Sequence, residues 1–162
     1  MKFDKRTEIL SQLQRLTSSQ SELIYRLSEL GLLDGNQFES LINEMTKMRF
    51  EKGRAYINFA DKLNENSSED QVHIISRNYY AIYHIARSVV FHNQRKDIDS
   101  HTNLPEVFSR VVGLNYGDKL EKWRDIRNTI EYSPYMPMDL GLICKKSKED
   151  AREILILCED YL

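Results

Sequence analysis

Only two of the 162 residues are cysteines, Cys144 and Cys158. Two are too few for a disulfide scaffold, and their spacing fits no common zinc pattern. They read as reduced thiols of a cytoplasmic protein. Proline is nearly as scarce: all three lie beyond residue 104, so glycine aside nothing breaks a helix in the first hundred residues. Long apolar runs are missing too. No stretch approaches 18 apolar residues, and Met1 to Arg6 lack the hydrophobic core of a signal peptide, so neither a membrane span nor secretion is expected. The four histidines are scattered at 73, 84, 92 and 101. Without a helical His–Glu pair, a cysteine pair or a glycine-rich phosphate loop, no metal and no cofactor is expected. Charge of one sign is lacking as well. Net charge is −2, with ten bases and ten acids over residues 1–66 and thirteen and fifteen thereafter. No basic block coats the chain, which argues against a broad nucleic-acid-binding face but leaves room for a local basic pocket.

What remains is helix. Apolar residues make up 41% and charged residues 30%, a folded composition of one-domain size. Residues 3–33 carry Leu13, Leu16, Leu23, Leu27 and Leu30 in a heptad-like seam with Gln20 in the missing place. Ser19 with Glu22 forms a capping box, which would divide the segment near Thr17–Ser19. The seam either packs on its own domain or pairs with another chain. Asn36, with Glu39, caps the next helix, whose stripe is Phe38, Leu41, Met45 and Met48, continued by Ala55, Phe59 and Leu63 after Gly53. A helix over 69–93 is apolar around much of its circumference and belongs at the centre of its bundle. Pro105 opens a short helix, Gly113 and Gly117 bracket a turn, a helix follows over 118–132, and Ser147 caps a last helix over 147–161. No strand alternation appears. The expected fold is all-α: an up-and-down bundle of about five helices in residues 46–162, with a helical extension in residues 1–45.

Chemistry concentrates in two places. Arg77, Tyr80 and His84 share one face of the central helix, where polar groups are costly unless they meet water or a partner. Arg77 is then either a salt-bridged structural residue or a ligand-binding one, and His84 either a satisfied core histidine or a site residue. Arg127 follows Trp123 by four and precedes Ile130 by three, so it lies on an inward stripe. It either pairs with an acid, such as Glu106 or the Asp125 of another chain, or points into a pocket or dimer interface.

The string Ser76-Arg77-Asn78-Tyr79-Tyr80-Ala81, with His84 and Ala86 downstream, resembles the central helix of small prokaryotic HEPN proteins. Arg127-Asn128 followed by Glu131-Tyr132-Ser133-Pro134-Tyr135 resembles their second hallmark, and Ser100-His101 the step between the two. The likeness covers about residues 50–162. It implies a helical bundle that dimerises and, in active members, cuts RNA without metal. There an arginine, often followed by asparagine, stabilises charge on the scissile phosphate, and a histidine after four to six intervening residues serves as general acid or base. Here Arg127 and Asn128 fit the first half. The allowed histidine positions hold Tyr132, Ser133 and Pro134. Tyr132 has the shortest permitted spacing, and a tyrosine of pKa about 10 is a poor base at neutral pH, though it can donate to phosphate. His84 and His101 are the candidates to replace the missing group. Arg77, Tyr80, Arg124 and His101 are candidate RNA or nucleotide contacts.

Many small HEPN proteins act with a minimal nucleotidyltransferase in toxin–antitoxin or defence pairs, and some are modified on a tyrosine near the motif. Tyr132 and Tyr135 are the corresponding candidates. Two functions follow: an RNA-directed protein, ribonuclease-like or a degenerate binder, and a non-catalytic helical module that binds a nucleotidyltransferase or another partner.

Overall fold

A computed structural model describes residues 5–133 and 139–162. Pro134 and Tyr135, and with Tyr135 one of the candidate modification sites, lie outside the described residues. The described residues form seven helices and no strand: α1 (Lys5–Leu13), α2 (Ser18–Glu29), α3 (Gly35–Ala60), α4 (Ser68–Gln94), α5 (Leu104–Val112), α6 (Leu114–Tyr132) and α7 (Leu140–Glu159). The count is seven rather than about five because, among other things, the leading segment divides. Its capping box is Thr17 with Gln20, not Ser19 with Glu22: Thr17 Oγ1 accepts from the Gln20 amide while the Gln20 side chain accepts from the Thr17 amide. Likewise Asp34, not Asn36, caps α3, its carboxylate accepting from the Asn36 and Gln37 amides. In both cases the cap stands two residues earlier than the reading from spacing.

α4 is the hub. Ser67 Oγ caps it by accepting from the Asp70 amide, and Glu69 and Asp70 place negative charge in its first turn, where the helix dipole favours it. More than half of its residues are buried, and it packs against α3, α5, α6 and α7. The approach of α3 to α4 runs through Gly53. A Cβ there would lie 2.6 Å from Ile85 Cγ1 and 2.9 Å from the Ala81 carbonyl oxygen, so the glycine is a contact surface rather than a break. The stripe of α3 that faces in is Ile42, Met45, Phe50, Gly53, Ile57 and Ala60. Met48 and Phe59 are about half exposed instead. The inward place beside Met48 is taken by Arg49, which has a buried acid to meet.

The turn between α5 and α6 is tighter than the glycines suggested. Gly113, at φ 115°, makes it alone, and Gly117 sits inside α6, where a Cβ would collide with Ser109 Oγ and the Pro105 carbonyl of α5. α7 starts seven residues before the expected point, capped by Asp139, whose side chain accepts from the Leu142 amide at 3.1 Å. Ser147 is not a cap. It is fully buried mid-helix, donating to the Cys144 carbonyl at 2.7 Å and accepting from Asn78 Nδ2 at 2.9 Å. Trp123 fixes α6 on α7 by donating from Nε1 to Asp150 at 2.9 Å.

The leucine seam divides between two environments. Leu13 and Leu16 are buried, with Leu10, Phe38, Ile42, Met45 and Phe91, in a small second core. Leu23 and Leu30 are 56% and 72% exposed. α3 runs unbroken across residue 45, its first half serving this small core and its second half the main one. No described helix is long and apolar enough to cross a membrane.

Candidate functional site

The three-four spacing of Arg77, Tyr80 and His84 does put them along one side of α4, and α3 lays Tyr56 against them. The Tyr56 ring stacks on Tyr80 (centroids 5.8 Å, planes 29° apart) and on His84 (5.5 Å, 1°). The Arg77 guanidinium lies over Phe59 at 5.3 Å and Tyr56 at 5.7 Å. Among the described residues it makes no ion pair and is held by these rings instead. Neither Tyr56 nor its role could be read from the sequence, because only the α3–α4 packing brings it there.

α6 supplies the other half. The Arg127 guanidinium sits over Tyr80 at 5.2 Å and over Tyr132 at 5.4 Å, and donates to the Tyr80 hydroxyl. It also donates to the Asn128 side-chain oxygen at 3.1 Å. Within the chain its acid is not Glu106 but Glu131, one turn on in the same helix, at 2.6 Å. Glu106 pairs with Arg110. The second Glu131 oxygen accepts from Ser76 Oγ at 2.9 Å, so this carboxylate bridges α4 and α6. Both Ser76 and Glu131 stand inside the motif strings. The i, i+4 spacing of Arg127 and Glu131 was the available signal. Burial tends to lower the Arg127 pKa, but Glu131 and the two tyrosines outweigh it and raise it. Arg124 reaches Glu121 at 3.0 Å and Asp125 at 2.9 Å, and its Nη1 approaches the His101 carbonyl at 3.4 Å.

The two candidate histidines part company here. His101 stacks on Tyr83 (4.0 Å, 14°), and its Nδ1 shares a hydrogen bond with the buried Tyr79 hydroxyl. Burial lowers its pKa first, and Arg127, Arg87 and Arg124 lower it further. It is therefore within electrostatic reach of Arg127. His84 meets Arg127 only through the rings of Tyr56 and Tyr80; no hydrogen bond or ring contact joins the two directly among the described residues. Burial, then Lys52, Arg87 and Arg49, pull its pKa down to about 3, so it is a neutral imidazole at physiological pH and a poor proton donor. Tyr132 is 73% exposed at the end of α6.

The arrangement thus brings Arg127, Asn128, Tyr132, Tyr80, Arg124 and His101 to one region and joins Arg77 and His84 to it through aromatic stacking. Planar faces alternating with guanidinium groups suit bases and phosphates. Among the described residues no group of three or more His, Cys, Asp or Glu side chains is placed to hold a metal ion. No protein-family model matches the chain and no curated protein matches it.

Proposed function

We propose that this chain is a HEPN-type, RNA-directed protein of a toxin–antitoxin or defence system. It holds a phosphate of RNA or of a nucleotide at Arg127, and lacks the usual catalytic histidine. One observation carries this reading: a partly buried guanidinium lies against both the Tyr80 and the Tyr132 ring, with Tyr132 exposed. A base can stack on that ring while its phosphate meets Arg127. In the free protein Glu131 occupies the arginine, so phosphate has to compete with a carboxylate at 2.6 Å. Of the two histidines, His101 is the one suited to proton transfer, since its carbonyl meets Arg124 on the helix that bears Arg127 while His84 is buried and neutral.

The test is fluorescence anisotropy with a short labelled RNA, alongside cleavage of mixed cellular RNA in EDTA. Arg127→Ala should weaken binding by about tenfold, the worth of one charge-assisted contact. Glu131→Gln should tighten it severalfold by releasing the guanidinium. Binding unchanged in both variants, each still folded, would sink the proposal. Cutting lost in His101→Ala but kept in His84→Gln would add catalysis to it.

A second reading has its own support. Leu23 of α2 and Leu30 at its C-cap are exposed on the seam where Leu13 and Leu16 are buried, a surface suited to another helix. On that reading the chain is a non-catalytic module for a nucleotidyltransferase, another partner or a second copy of itself. Co-purification surviving the loss of residues 1–33 would remove the seam from the argument.

A further inference from the structure

Beside His84 the residue after α1, with α3 and α4, lines an open-mouthed cavity of about 140 Å³ that Arg127 does not line. Its walls include Arg49, Lys52, Arg87, His84 and Gln14, with Met48 at the rim. The charges around it do not balance. Asp97 is the acid that meets Arg49 and Arg87, and both its oxygens are taken: Oδ1 accepts from Arg49 Nη2 and Arg87 Nε, each at 2.8 Å, and Oδ2 from Arg87 Nη2. One carboxylate therefore answers two guanidinium groups. Lys52 adds a third positive charge on the exposed side, with no acid partner among the described residues. Arg49 is 7% exposed, and its Nη1 has no hydrogen-bond acceptor. Buried arginine is seldom left so, because an unmet charged donor costs more than a met one gains.

We infer that this cavity is a binding site for a phosphate group. The volume is below the roughly 300 Å³ of ordinary small-molecule pockets but holds several waters' worth of space, enough for a tetrahedral oxyanion. The donors suit it: two guanidinium groups and an ammonium line one small space. A dianion would balance the excess charge of the lining. The groups facing His84 are Lys52 and Arg49 of α3, Arg87 of α4 and His101 of the connecting loop, and every one of them lowers its pKa. An anion in the cavity would oppose them. The inference stands apart from the reading of Arg127: of the residues gathered around Arg127 only His84 also lines this cavity, and it reaches Arg127 only through the rings of Tyr56 and Tyr80.

The probe is inorganic phosphate, followed through the His84 ring signals by NMR, with His84→Gln used for assignment. A saturable shift is expected, absent with sodium chloride of equal ionic strength. Lys52→Gln should weaken it about two- to fivefold, the worth of one exposed charge; Lys52→Arg should restore it, and Arg127→Ala should leave it unchanged. Lys52 is exposed and joins no described ion pair, so its loss leaves the fold intact. A nucleoside 5′-monophosphate binding no tighter than phosphate would identify free phosphate as sufficient; tighter binding would identify the group as one end of a nucleotide. No shift beyond that seen with chloride, or affinity unmoved by Lys52→Gln, overturns the inference.

Discussion

Asp97→Asn is the most informative perturbation of this fold. The Asp97 side chain is 4% exposed, and its partners Arg49 and Arg87 are 8% and 18% exposed. The amide keeps the shape and one acceptor oxygen but removes the charge that both guanidinium groups face. Breaking a buried pair from one side costs about 3–5 kcal/mol, most of it the penalty of the charge left behind. The retained acceptor puts the expectation near the lower end, about 3 kcal/mol, against a total stability of roughly 5–15 kcal/mol. With a urea m-value of about 2 kcal/mol/M, the unfolding midpoint should fall by about 1.5 M. Glu106→Gln is the control: its pair with Arg110 is 69% and 72% exposed, and its loss should leave the midpoint in place. The damage should also be directional. The Asp97 amide donates to the Leu16 carbonyl at 2.7 Å, and Ser21 Oγ donates to the Arg95 carbonyl, so the α4–α5 connection is tied to the N-terminal helices. Faster amide exchange should appear first over residues 96–103, the stretch that carries His101. A midpoint shift no larger than that of Glu106→Gln would refute the account of a charge-dependent clasp.

Two further outcomes can be stated. His84 is held neutral by burial, with a pKa of about 3, while in the unfolded chain it takes up a proton near 6.5. Its contribution is therefore full above pH 6.5 and is lost as pH falls toward 3, at up to about 1.4 kcal/mol per pH unit. Urea titrations at pH 7, 6 and 5 should show a shallower acid loss for His84→Gln, and identical slopes would count against it. Gly53→Ala should cost about 1–2 kcal/mol, since a clash with Ile85 and the Ala81 carbonyl outweighs the roughly 1 kcal/mol gained in helix propensity; a variant as stable as the parent would mean that α3 and α4 can move apart freely.

The all-helical class was open to a reader of the sequence because apolar spacings of three and four recur without strand alternation. The caps were harder. Thr17 and Ser19, or Asp34 and Asn36, are all good capping residues within two positions of each other, and only backbone conformation chooses between them. Ser147 misled for a related reason: a serine before acidic residues looks like a helix start, yet here its hydroxyl serves Asn78 across a buried contact. On the site, local spacing grouped Arg77, Tyr80 and His84 correctly. It could not supply Tyr56, which lies 24 residues from Tyr80 in the chain and meets it only through the Gly53 crossing. Nor could it supply the balance of charge at Arg49, which depends on a loop acid 48 residues away.

The burial of α4 bears on how this protein could change. Arg77, Tyr80 and His84 are borne by the one helix against which α3, α5, α6 and α7 all pack. A substitution there is felt at once by the core, so this face is free to vary little. Tyr56, Lys52, Glu131 and Tyr132 project from the surrounding helices with one side toward water. New ligand preferences would arise most readily by exchange at those outer positions, with the inner row left as a fixed template against which they are tried.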